Sequence, residues 1–114
     1  MKYIKLGSVR AFPNVAPDKP QALKTLEEAA EVFGAWQVWD SFNVDALREL
    51  YTPGQIRLFG IANRRDLLNE IADTIQACCN LAAALGVEDL TPYLARCEER
   101  NRERGRYDKE QPCK

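Results

Sequence analysis

The sequence predicts an all-α fold, on three observations. Apolar residues recur at steps of three and four over residues 21–39, a longer stretch at 64–85 combines Ala, Leu, Ile and Cys at the same period, and a third run follows Pro92. The second stretch dictates how the rest is arranged. On a helix, Glu70, Asp73, Ala77, Asn80 and Ala84 fall on one stripe and Ile71, Ile75, Cys78, Ala82 and Leu85 on the opposite one. Its flanks hold mostly Ala and Cys, so the helix is expected to be buried nearly all round. Two carboxylates on such a helix require cations or protons, because an uncompensated buried charge costs several kcal/mol.

At 114 residues the chain is one domain, with a formal net charge of -1 that gives no signal for nucleic acid or an anionic membrane. The first residues lack a continuous apolar core of signal-peptide length, and no stretch approaches the ~20 apolar residues of a membrane span. A soluble, cytoplasmic protein is expected. The four cysteines read as reduced, small core residues, since Cys78 and Cys79 are neighbours on one helix and Cys97 and Cys113 lie elsewhere. The chain has no histidine and no CxxC pair, which leaves zinc almost no ligands and excludes Ser-His-Asp and Cys-His catalysis.

Taken in order, residues 1–20 form an extended arm with a possible short strand at 3–6. Pro13, Pro17 and Pro20 disfavour helix before them. The first helix, residues 21–39, has Leu23, Leu26, Ala30 and Phe33 as its apolar stripe, with Ala29 and Trp36 beside it, and carries Glu27, Glu28 and Glu31 along one edge. Residues 40–43 read as a stop and a cap, and 44–51 as two helical turns before the Thr52-Pro53-Gly54 break. Residues 55–62 show no clear period and read as a loop or short helix. Asn63 is the expected N-cap of the central helix, about 64–85, with Gly86 as its stop. A last helix starts near Asp89 or Thr91, with Pro92 in its first turn, and ends before Gly105. Its charged end reads as a solvated, salt-bridged face. The domain proper spans 21–106, and 107–114 is a polar tail.

Glu28-x-x-Glu31 and Glu70-x-x-Asp73 would face each other if their helices pack antiparallel. Oxygen ligands without imidazole or thiolate suit Mg²⁺ or Mn²⁺. One ExxE alone is an ordinary solvated helix face; two, the second on an otherwise apolar helix, point to a metal site. A carboxylate-bridged di-iron bundle normally needs Glu-x-x-His, which this chain lacks.

Leu26-Glu27-Glu28-Ala29-Ala30-Glu31, followed by Asn69-Glu70-Ile71-Ala72-Asp73, resembles the EExxE and ExxD motifs of MazG-like nucleoside triphosphate pyrophosphohydrolases. The likeness covers residues 21–106, although the connection from Val32 to Asn69 is longer than in compact members and the arm matches no motif. It implies a helical bundle in which Glu28, Glu31, Glu70 and Asp73 bind Mg²⁺. It also implies a nucleoside triphosphate cut between its α and β phosphates, giving monophosphate and pyrophosphate. Glu27 would orient water or act as a base, and Lys24, Asn80, Asn101 and Arg104 would contact the substrate. Trp36 and Trp39 are core or interface residues, with base stacking as the alternative. The central helix is too apolar for two neighbours to cover, so a homodimer or homotetramer is expected to complete a four-helix core. The competing expectation is a non-catalytic helical oligomerisation or regulatory module.

Overall fold

A computed structural model of the chain describes residues 2–108. It contains four helices, α1 (Lys19–Asp40), α2 (Val44–Leu47), α3 (Pro53–Ala84) and α4 (Thr91–Glu103). There is no strand among the described residues, so the fold is all-α and the strand expected at 3–6 does not form.

Local chemistry explains each helix end. The Asp18 carboxylate accepts the Gln21 N–H at 3.1 Å and so caps α1. Pro20 sits inside the first turn, where a missing N–H does no harm, so the arm ends two residues earlier than expected. Asn43 caps α2 by accepting from the Ala46 N–H at 3.2 Å. That helix is one turn rather than two; residues 48–50 continue as a turn in which the Leu50 and Tyr51 N–H groups are both donated to the Leu47 carbonyl, before Thr52, which precedes a proline, is held extended (φ -71, ψ 157).

The larger correction concerns α3, which begins at Pro53 and runs for 32 residues, with Asn63 in its interior. Thr52 and Gln55 form a capping box. The Thr52 hydroxyl accepts the Gln55 N–H at 3.2 Å, and Gln55 Oε1 accepts the Thr52 N–H at 2.9 Å. Gly86 ends the helix as expected, at a φ of 82 that favours glycine, and its N–H is donated to the Ala83 carbonyl. The Asp89 carboxylate accepts the Thr91 N–H at 2.9 Å beside the start of α4, and Pro92 lies in that first turn.

Helices α1 and α3 pack against each other antiparallel. The Phe42 ring lies over Gly60 near one end, while Glu28 meets Glu70 and Asp73 further along. The face of α3 turned to α1 runs Ile56, Gly60, Asn63, Leu67, Glu70, Thr74, Ala77 and Asn80, in strict steps of four and three. Gln21, Thr25, Glu28, Val32 and Ala35 are the less exposed positions of α1.

Within one chain, two apolar faces stay uncovered. The apolar stripe of α1 points outward, with Leu26 66% and Phe33 57% exposed. The central helix is not enclosed either, since only Ile56, Ala77 and Asn80 are buried and Ile71, Cys78 and Leu85 are exposed. One neighbouring helix and the arm cannot cover α3 on all sides. The chain exposes 9628 Å², whereas a compact monomer of 12.9 kDa exposes roughly 6,300 Å². Its radius of gyration is 18.3 Å, against about 13 Å for a compact chain of this length. Among the described residues no helix is long and apolar enough to cross a membrane.

The arm returns to the body at one place. Phe12 donates its N–H to Asn80 Oδ1 at 3.0 Å, and Gln76 Nε2 is donated to both the Arg10 carbonyl and Asn80 Oδ1, each at 2.9 Å. Asn80, 3% exposed, thus has its acceptor oxygen satisfied from within the chain.

Candidate metal centre

Antiparallel packing places Glu28 of α1 against two adjacent turns of α3. One carboxylate oxygen from each of Glu28, Glu70 and Asp73 lies within 4.8 Å of the others. The three differ in environment: Glu28 and Glu70 are half-buried and Asp73 faces solvent, so the cluster is closed on the helix side and open at Asp73. Glu70 Oε2 is buried without a hydrogen-bond partner among the described residues. An orphaned acceptor is costly, and more so on a charged group. Among the described residues, neither Glu70 nor Asp73 takes part in an ion pair.

Among the described residues, the cation paired with a member of the cluster comes from α1. Lys24 Nζ is 3.4 Å from Glu27 Oε2 and 3.5 Å from Glu28 Oε1. These contacts, Glu27 first and Glu28 second, hold the Lys24 pKa above its ordinary value. They do not neutralise Glu28. Burial, followed by the hydrogen bond and charge of Glu31, pushes the Glu28 carboxyl above the usual range, against the opposing pull of Lys24.

The sign of the resulting pH dependence follows. The folded metal-free chain holds the Glu28 proton more tightly than the unfolded chain does. Glu28 therefore contributes stability that is full below the ordinary carboxylate pKa and lost as pH rises through the raised folded value. In EDTA, the unfolding temperature of wild type should fall relative to Glu28→Gln across that window. Metal affinity should rise over the same window, because proton and cation compete for one carboxylate. Unfolding curves for the two proteins at several pH values check both statements, and parallel curves would reject them.

Of the remaining candidates, Glu31 is exposed and lies beside Glu28, outside the three-oxygen group. Glu27 is exposed and paired with Lys24. Asn80 shares the α3 stripe with Glu70 and Asp73, two turns beyond the latter, and binds the arm. Gln76 was missed in the sequence, although a Gln four residues before an Asn on one helix edge is a recognisable hydrogen-bonding pair. Asn101 Oδ1 accepts from Arg106 Nη1 at 3.2 Å, and its Nδ2 faces Cys97 Sγ at 3.6 Å. Arg104 is exposed at the C-cap of α4, and neither residue joins the acidic group.

The charged end of α4 is a solvated face, with Arg102 paired to Glu98 and Glu99. Cys78 and Cys97 are exposed free thiols rather than core residues, while Cys79 is half-buried and Cys113 lies outside the described residues. Trp36 stacks on Phe33 at 5.8 Å between ring centres, on the outward side of α1, and Trp39 is exposed. Comparison with protein-family models, curated proteins and solved structures finds no match to this chain.

Proposed function

We propose that the protein is a Mg²⁺-dependent nucleoside triphosphate pyrophosphohydrolase, with Mn²⁺ as an alternative ion, that converts a (deoxy)nucleoside triphosphate to monophosphate and pyrophosphate. The supporting observation is Glu70 Oε2, buried and unpartnered in a group of three carboxylates on two helices. Acids on a solvated face keep water around their oxygens; this one has neither solvent nor a donor, so a cation is the natural complement.

The residues fit such an ion. Oxygens on one Mg²⁺ stand at most about 4 Å apart, so three carboxylate oxygens within 4.8 Å of one another come onto one ion by small side-chain rotations. Glu28, Glu70 and Asp73 would hold the ion, and Glu31 beside Glu28 is the fourth carboxylate within reach. When bound, Mg²⁺ supplies charge neutralisation for the triphosphate and a water activated for attack on the α-phosphorus. Glu27, at the solvent edge of α1 and paired with Lys24, would orient that water, and the Lys24 ammonium would meet a phosphate. Asp73 leaves the substrate side open. A non-catalytic helical oligomerisation module would account for the outward apolar faces but leaves the orphaned Glu70 oxygen unexplained.

The test is a panel of nucleoside and deoxynucleoside triphosphates with Mg²⁺, analysed for monophosphate and pyrophosphate. Activity should vanish in EDTA and return with Mg²⁺ or Mn²⁺. Full turnover in metal-free buffer would reject the mechanism. Hydrolysis of no member of the panel would favour the non-catalytic module.

A further inference from the structure

On the side of α3 away from the acids, a chamber of about 610 Å³ lies between the arm, α3 and the start of α4. At 100° per residue, Ile75 and Ala82 of its wall are roughly half a turn around α3 from Asp73, so the chamber is separate from the carboxylate group. Its size is that of a small-molecule pocket, for which about 300–1,000 Å³ is usual.

Two independent features define it. The first is that one wall is fastened in place. The arm supplies Leu6 and Val9 to the lining, and the adjoining backbone at residues 10 and 12 is fixed by Gln76 and the buried Asn80, which engage a carbonyl and an N–H of the same short segment. The second is the chemistry of the lining. Leu6, Val9, Ile75, Ala82, Leu90 and Leu94 give aliphatic walls, and among the described residues the charged groups at the chamber are Glu88 and Asp89, both acids. Among the described residues no lysine, arginine or aromatic ring lines it, which disfavours phosphate and a stacked nucleobase. The Asp89 carboxylate already accepts the Thr91 N–H, which leaves Glu88, in no ion pair among the described residues, as the group at the rim for a cation to meet.

We propose that this chamber, walled on one side by the arm and latched by Gln76 and Asn80, binds a small aliphatic amine as its ammonium. The hydrocarbon part lies against the aliphatic walls, and the ammonium faces Glu88, with Asp89 adding negative charge beside it. The proposal is independent of the metal chemistry, and its test reads binding rather than turnover.

The full-length protein is titrated calorimetrically with n-octylammonium chloride, with sodium octanoate as the anionic control, once in EDTA and once with Mg²⁺. Octylammonium should bind once per chain in both buffers and octanoate should not. Glu88→Gln should weaken amine binding about tenfold, and Ala82→Trp, which fills the chamber, should abolish it. Phe12→Pro removes the N–H that Asn80 accepts, so it should speed tryptic cleavage after Arg10 several-fold and weaken amine binding in parallel. Circular dichroism establishes that each variant keeps its helices. Equal binding of octanoate overturns the proposal, as does amine binding unaffected by both Glu88→Gln and Ala82→Trp. The absence of octylammonium binding to the assembled wild type, the result if a second copy fills the chamber, overturns it as well.

Discussion

Glu70→Gln should abolish pyrophosphate release while raising the unfolding temperature of the protein in EDTA. The two effects have one cause. Glu70 Oε2 is a buried carboxylate oxygen with no donor, next to oxygens of Glu28 and Asp73, so without metal its charge is both desolvated and repelled. Glutamine keeps the shape, removes the charge and brings an N–H₂ that can be donated to a neighbouring carboxylate. The expected gain is about 1–2 kcal/mol, or several degrees for a chain of this size. The same change removes a ligand needed only when metal and substrate are bound, and a loss on the order of 10³-fold in activity is expected. Mg²⁺ should raise the unfolding temperature of wild type clearly, since saturation at 100 times Kd contributes about 2.7 kcal/mol, and that of the variant little.

Asp73→Asn separates the two effects further. Asp73 is exposed, so its substitution should leave metal-free stability within about 0.5 kcal/mol while still abolishing activity. A purely architectural role for Glu70 predicts the reverse pattern, in which Glu70→Gln melts well below wild type in EDTA yet hydrolyses substrate at the wild-type rate.

The acidic pairs were legible in the sequence because spacing along a helix fixes which side chains share a face, and two ExxE-like pairs imply a meeting place once their helices are antiparallel. What the sequence hid was the composition of that face. The contact between α1 and α3 is made through Gly60, Asn63, Thr25 and Gln21 as much as through Ile56 or Val32, so counting apolar residues picked out the side of α1 that α3 does not cover and started α3 eleven residues too late. Residues 55–62 show no apolar period because Gly60 and Asn63 occupy positions where a hydrophobic residue was sought. The role of Asn80 was hidden for a different reason. Its partner, the Phe12 N–H, is 68 residues away and belongs to the backbone, which carries no sequence signature.

Light scattering should find at least a homodimer, and Leu26→Asp combined with Phe33→Asp should break it and unfold the chain. Leu26 is about 160° around α1 from Glu28, so the face that carries Glu28 and the face that carries the apolar stripe are nearly opposite. Helix α3 covers the first, and nothing among the described residues covers the second. The surface in excess of a compact monomer is about 3,300 Å² per chain, several times the roughly 800 Å² that each partner contributes to an ordinary stable interface. A second α1–α3 pair laid on Leu26, Phe33 and Trp36 would complete a four-helix core. Two aspartates there would each be buried without a partner, at a cost of several kcal/mol, comparable with the whole stability of a domain this size. Because no large side chain among the described residues is fully buried in the single chain, dissociation should also bring loss of helicity in circular dichroism, and should abolish activity although neither substituted residue touches the acids. A wild type that is a monodisperse monomer at micromolar concentration would reject the second copy. A variant that dissociates yet stays helical and binds Mg²⁺ would show that α1 and α3 suffice for the site, and that the outward face serves assembly alone.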